Sequence, residues 1–175
     1  MRRTRGVRAL LASSVLAAAV AGPALLAIPQ ASAGVIDNIC NGAAQFNLAP
    51  PLTLAQHPIT ATLSNATLSG CANPAYRNAI ITFNSASGNS LCLVLNLAGN
   101  GDLTWGNGQV STYIFTISTN PLTGSIGLSA TVGSGPFAGD TIEDVPVILT
   151  VSGTCLTGGI TSLTLDLSGA VFFHL

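Results

Sequence analysis

The chain has no lysine, and beyond residue 33 its only cation is Arg77. Schiff-base catalysis requires a lysine amine, so that route is closed. Nucleic acids and anionic membrane surfaces are held by clusters of Lys and Arg. One arginine serves neither, which excludes both as partners. No C-x-x-C pair is present, which removes the common zinc spacing, and no G-x-S-x-G elbow marks a hydrolase nucleophile. A single tryptophan leaves a sugar-cleaving cleft without its usual aromatic platforms.

The charge that is present is unevenly placed. Arg2, Arg3, Arg5 and Arg8 crowd the N-terminus, an apolar stretch from Ala9 to Ile28 follows, and Pro29 ends it. Ala31-Ser32-Ala33 then offers small residues to a signal peptidase, so residues 1–33 read as a cleaved secretory signal peptide. Gly22-Pro23 and the cleavage motif argue against retention as a membrane anchor. The expected product is secreted into the extracellular space as one domain, 34–175, with 34–51 as an N-terminal lead segment. That part sets Arg77 against Asp37, Asp102, Asp140, Glu143, Asp144 and Asp166, a side-chain balance of −5. Its polar surface must come from Ser, Thr, Asn and Gly. Such a surface has little colloidal repulsion and favours adhesion to a cell-wall polymer, an extracellular protein or another copy of itself.

Four cysteines, Cys40, Cys71, Cys92 and Cys155, all lie in the exported part. An even number in an oxidising compartment reads as two disulfides, with three pairings open.

From Leu52 onward, β-branched and apolar residues alternate with polar ones between Gly and Asn punctuation, the pattern of short strands. Leu163, Leu165, Leu167, Val171 and Phe173 fall on one face. Ile126, Leu128, Ala130 and Val132 repeat the period, as do Val145, Val147, Leu149 and Val151. Leu91–Leu97 is apolar on both faces and reads as a central, doubly covered strand. Between Ile59 and Gly70 the apolar parity slips, which predicts a bulge or break near Asn65. Asn107-Gly108 predicts a hairpin that pairs Trp105 with Val110. A short helix fits only within Val35 to Asn47. The fold expected is all-β: an antiparallel β-sandwich, immunoglobulin-like or related, of 8–10 strands, or alternatively a closed β-barrel. Aromatic girdles for a transmembrane barrel are not marked out.

Three segments carry a family resemblance. Gly101-Asp102-Leu103-Thr104-Trp105-Gly106-Asn107-Gly108 with Ser111-Thr112 resembles the G-x-x-x-W-x-x-G-x-x-S segment of small secreted, cysteine-containing β proteins of actinomycetes. Gly135-Pro136-Phe137-Ala138-Gly139-Asp140-Thr141 resembles their G-x-F-A-G-D turn, and Ser152–Cys155 with Gly159–Ser162 their final cysteine hairpin. The resemblance implies an exported all-β fold of bacterial origin. It carries no activity, cofactor or site residue.

Candidate chemistry is sparse. His57 precedes Pro58 and so enters an extended segment. His174 shares a strand with Asp166 but stands eight residues away, about 26 Å at strand rise, too far for a dyad. Both read as surface histidines. Asp140, Glu143 and Asp144 are the one acidic cluster and the calcium candidates, although their spacing is not that of a regular calcium loop. Trp105 beside its turn is either a packing residue or a ligand platform. No catalytic residue and no cofactor are expected. The function expected is an exported non-enzymatic β-domain for binding or interaction; the alternatives are a module for a small apolar ligand, needing a closed cavity of about 300 Å³ or more, and a hydrolase.

Overall fold

The computed structural model describes residues 34–143 and 148–174. The expected leader 1–33, Asp144, Val145 and Val147 lie outside the described residues. Nine strands follow one another: β1 Val35–Leu52, β2 His57–Ser69, β3 Ala79–Ser90, β4 Leu95–Trp105, β5 Val110–Asn120, β6 Ser125–Ser134, β7 Thr141–Glu143, β8 Ile148–Thr154 and β9 Gly159–His174. Among the described residues there is no helix.

All pairings between strands are antiparallel and belong to one sheet, ordered β1-β2-β3-β4-β5-β6-β7-β9-β8, with β9 also paired to β1. The expected antiparallel all-β fold is therefore the one found. The two walls that face one another across the core are parts of a single wrapped sheet. The β9–β1 seam is long, whereas closure on the other side runs only through the three residues of β7, Thr141–Glu143. Alternation places every second residue inward: Leu95, Leu97, Leu103 and Trp105 from β4, and Tyr113, Phe115 and Ile117 from β5, are buried. Phe46, Phe83 and Phe115 stack across the middle, with ring centroids 5.5 and 4.3 Å apart.

The Val35–Asn47 stretch is not helical, and 34–51 is no lead segment. Both are corrected by β1, which pairs β2 on one edge and β9 on the other. Its inward positions include Asn38, Cys40 and Ala44. Those residues bury little apolar surface, so the strand period is faint in the sequence.

Leu91–Leu97 is not a doubly covered strand. Leu91 and Val94 exchange backbone hydrogen bonds of 2.9 and 3.0 Å, making a tight β3–β4 turn with Leu93 and Val94 exposed. In β9 the inward set changes parity: Leu163, Leu165 and Leu167 are buried, then Ala170 and Phe172 rather than Val171 and Phe173. The cause is a bulge in which Ser168 and Gly169 stand against the single residue Asn41 of β1. The Asn107-Gly108 hairpin forms, but as a three-residue loop with Gly108 at φ 85°. Val110 therefore faces Thr104, and Trp105 bonds to Gln109.

Strands β3 and β4 approach closely at Gly101. A Cβ there would overlap the Thr82 carbonyl and lie 2.6 Å from the Tyr113 hydroxyl oxygen. The Thr82 carbonyl is backbone of the β3–β4 ladder, and the Tyr113 hydroxyl is held against it by its hydrogen bond. Gly101→Ala is expected to cost about 1–3 kcal/mol, read as a lower urea midpoint at unchanged m-value.

The cysteines join as Cys40–Cys71 and Cys92–Cys155. Two disulfides fit an oxidising environment.

Candidate functional site

Two features concentrate polar and apolar groups in ways the fold alone does not require. The first is a parting of the wall. Strands β2 and β3 pair at His57–Thr60 with Ser87–Ser90, and again at Thr67 and Leu68 with Ile80 and Ala79. Between these ends, residues 61–66 and 81–86 have no partners across the seam. Both strands carry a bulge at that height. Ser64 is the extra residue against β1, where Gln45 faces Asn65 and Phe46 faces Leu63. Asn84 is the extra residue against β4, between Phe83 and Ser85. This is the irregularity the slipped parity predicts near Asn65, with a counterpart in β3. Each bulged region is tied to its own flank: Ser64 Oγ donates to Gln45 O at 3.4 Å and Asn84 Nδ2 to Asp102 Oδ2 at 3.1 Å. Bulges bend strands locally, and these two face one another across the unpaired stretch.

The opening is a cleft of about 430 Å³ rimmed by Thr62, Ser64, Asn65 and Thr82. Its floor is Leu63, Ile81 and Phe83, which also line an apolar void of about 70 Å³ between the walls of the sheet. The Tyr113 hydroxyl donates to Thr82 O at 3.1 Å, satisfying one carbonyl of the parted strand from within. Burial, and secondarily the Asp102 carboxylate, push that phenol far up, so it stays a donor. The void between the walls is smaller than a few hundred Å³, and the side cleft is the larger of the two.

The second feature gathers three titratable groups at one end of the β9–β1 seam. Asp37 is the extra residue of a bulge in β1, since Ile36 faces Phe173 and Asn38 faces Phe172. Asp140 immediately precedes β7, whose Thr141 also faces Phe173. His174, the next residue of β9, thus lies between them. Its Nδ1 is 2.7 Å from Asp37 Oδ2 and 3.6 Å from Asp140 Oδ1. The His174 and Asp37 side chains are 49% and 31% exposed, while Asp140 is 3% exposed and its Oδ2 has no hydrogen-bond partner among the described residues. Burial chiefly, then the adjacent Asp37 carboxylate, raise the Asp140 pKa, and His174 opposes them.

Of the acidic residues grouped by sequence, Asp140 and Glu143 face opposite ways. Glu143 points outward from β7 while Asp140 and Ile142 point in, because neighbours of opposite parity in a strand face opposite ways. Asp144 lies outside the described residues. Among the described residues, the group whose ligand atoms come together is Asp37, Asp140 and His174. No local signal marks that trio, since 137 residues separate Asp37 from His174. His57 directs Nδ1 and Nε2 at the carbonyls of Ala55 and Pro51, at 2.9 and 3.2 Å.

Trp105 is 1% exposed and cannot serve as a surface platform. Its ring lies 5.2–5.8 Å from those of Tyr76, Phe137 and Phe172. Its Nε1–H donates to Ser111 Oγ at 2.9 Å, and that hydroxyl donates to Pro136 O at 2.6 Å. The tryptophan segment and the Gly135–Asp140 turn are thus two halves of one plug.

Comparisons with protein-family models, with curated proteins and with solved structures find no match.

Proposed function

We propose that the chain is an exported, non-enzymatic binding module that admits a small uncharged apolar ligand through the parted β2–β3 seam. The observation that carries this reading is the coincidence of the two facing bulges with an apolar floor common to the cleft and the void between the walls. A cleft of about 430 Å³ is of the size that holds a small ligand, and such sites combine apolar walls with a few polar groups. Here Leu63, Ile81 and Phe83 supply the wall. Rim hydroxyls and amides supply hydrogen bonds without charge, which favours a neutral ligand. Export is supported by the leader pattern of residues 1–33 and by the two disulfides.

Nile red, an uncharged apolar dye, tests the cleft. Saturable one-to-one fluorescence enhancement is expected. Ile81→Glu, which sets a carboxylate on the apolar floor, should weaken it at least about tenfold. Ile114→Ser, at an outward position of β5 that is 64% exposed, should leave it unchanged. Native mass spectrometry of the secreted product reads retained ligand, cleavage after Ala33 and both disulfides together. No saturable dye binding and a bare polypeptide mass would end this reading.

A further inference from the structure

We infer that Asp37, Asp140 and His174 form a binding site for one divalent transition-metal ion of the zinc type. The site shares no residue with the cleft and does not rest on it.

The donor atoms are already close. One ligand atom from each residue lies within 4.8 Å of the other two. A tetrahedral ion with bonds of about 2.1 Å sets its donors about 3.4 Å apart. The His174 Nδ1 to Asp140 Oδ1 distance, 3.6 Å, is near that value. The 2.7 Å contact from His174 Nδ1 to Asp37 Oδ2 needs to open by about 0.7 Å as the ion takes the place of the bridging proton.

The trio sets two acids against a single imidazole. Asp140 is buried, one of its oxygens has no hydrogen-bond partner among the described residues, and its neighbour Asp37 is another acid. Burying a carboxylate without a partner is costly. A divalent ion would balance two carboxylates and a neutral imidazole to zero net charge.

The supporting backbone is fixed before any ion arrives. Asp37 is aimed by its bulge. The preceding turn is pinned by Asp140 N donating to Phe137 O and by Val132 N donating to Asp140 O, at 3.0 and 2.9 Å. Buried Asn38, beside Asp37, accepts from Asn73 N at 2.9 Å and donates to Tyr76 O at 3.3 Å. Held donors of this kind raise metal affinity. Two carboxylates and one imidazole suit zinc and its neighbours better than calcium, which takes six or more oxygens. Access is through the exposed sides of Asp37 and His174, where a fourth ligand such as water has room.

The exported protein, stripped with EDTA and titrated with ZnCl2 in competition with a zinc-binding dye, decides the matter. Uptake of one equivalent and a rise in melting temperature are expected, with Co2+ giving the visible absorption of nitrogen and oxygen ligation. His174→Gln, a surface change, should weaken zinc at least about a hundredfold, and Asp140→Asn likewise. His57→Gln should bind as the natural chain does. Near-UV circular dichroism checks folding, and the natural chain and His174→Gln suffice if Asp140→Asn does not fold. Absence of stoichiometric uptake by the natural chain, uptake undiminished in His174→Gln, or uptake lost in His57→Gln would each overturn the site.

Discussion

Replacing Cys92 and Cys155 together by alanine is expected to lower the unfolding free energy by about 4 kcal/mol. The bridge closes a sequence separation of 63 residues, and chain entropy makes a cross-link more effective as its loop grows. Cys40–Cys71 closes a separation of 31, for which the same relation gives a loss smaller by about half a kcal/mol. The longer bridge also joins elements that share no ladder: the Leu91–Val94 turn between β3 and β4, and the residue just after β8. Without it that turn keeps the bond from Cys92 N to Thr53 O, 2.8 Å, but loses its covalent tie to the end of the β8 edge. Domains of this size have about 5–15 kcal/mol in all, so losing both bridges should leave the chain unfolded at 37 °C. Urea unfolding followed by far-UV circular dichroism reads both losses. A loss below about 1 kcal/mol for Cys92–Cys155 would mean that the unfolded chain is already restrained across that loop.

The sequence made the strands legible where inward residues are large. Tyr113, Phe115 and Ile117 alternate with Thr112, Ile114 and Thr116, and β5 follows directly. Where the inward residues are Asn38, Cys40 and Ala44, the same period carries little hydrophobic contrast, and β1 passes for a lead segment. Bulges limit the reading further. One extra residue reverses every later side chain, so Phe172 rather than Phe173 is core because Gly169 intervenes. The slipped parity near Asn65 disclosed the Ser64 bulge, but not that Asn84 mirrors it across a seam. That relation exists only once β2 and β3 are placed side by side. The Asp37–Asp140–His174 trio was hidden for the same reason. Its members come from a strand bulge, a turn and a strand end, and only the β9–β1 and β7–β9 pairings bring them together.

Trp105→Ala should be the most damaging single substitution, costing about 3–5 kcal/mol. The ring is one of the largest fully buried side chains, and its loss empties the space between Tyr76, Phe137 and Phe172. Phe137 holds φ 64°, a backbone region that non-glycine residues occupy at a cost. Its ring contacts at 4.9–5.3 Å with Tyr76, Trp105 and Phe172 offset that cost. Ser111→Ala is expected to cost less, about 1–3 kcal/mol, because it leaves the buried indole N–H without its acceptor. Trp105→Phe keeps an aromatic ring and loses only the N–H, so it should fall below Trp105→Ala. If Trp105→Ala cost under 1 kcal/mol, the plug would not be holding that end of the sheet. The Gly135–Asp140 turn that seats against Trp105 also positions Asp140. The stability loss in Trp105→Ala should therefore be accompanied by weaker zinc binding, whereas Gly101→Ala, in another part of the wall, should lower stability and leave zinc affinity unchanged.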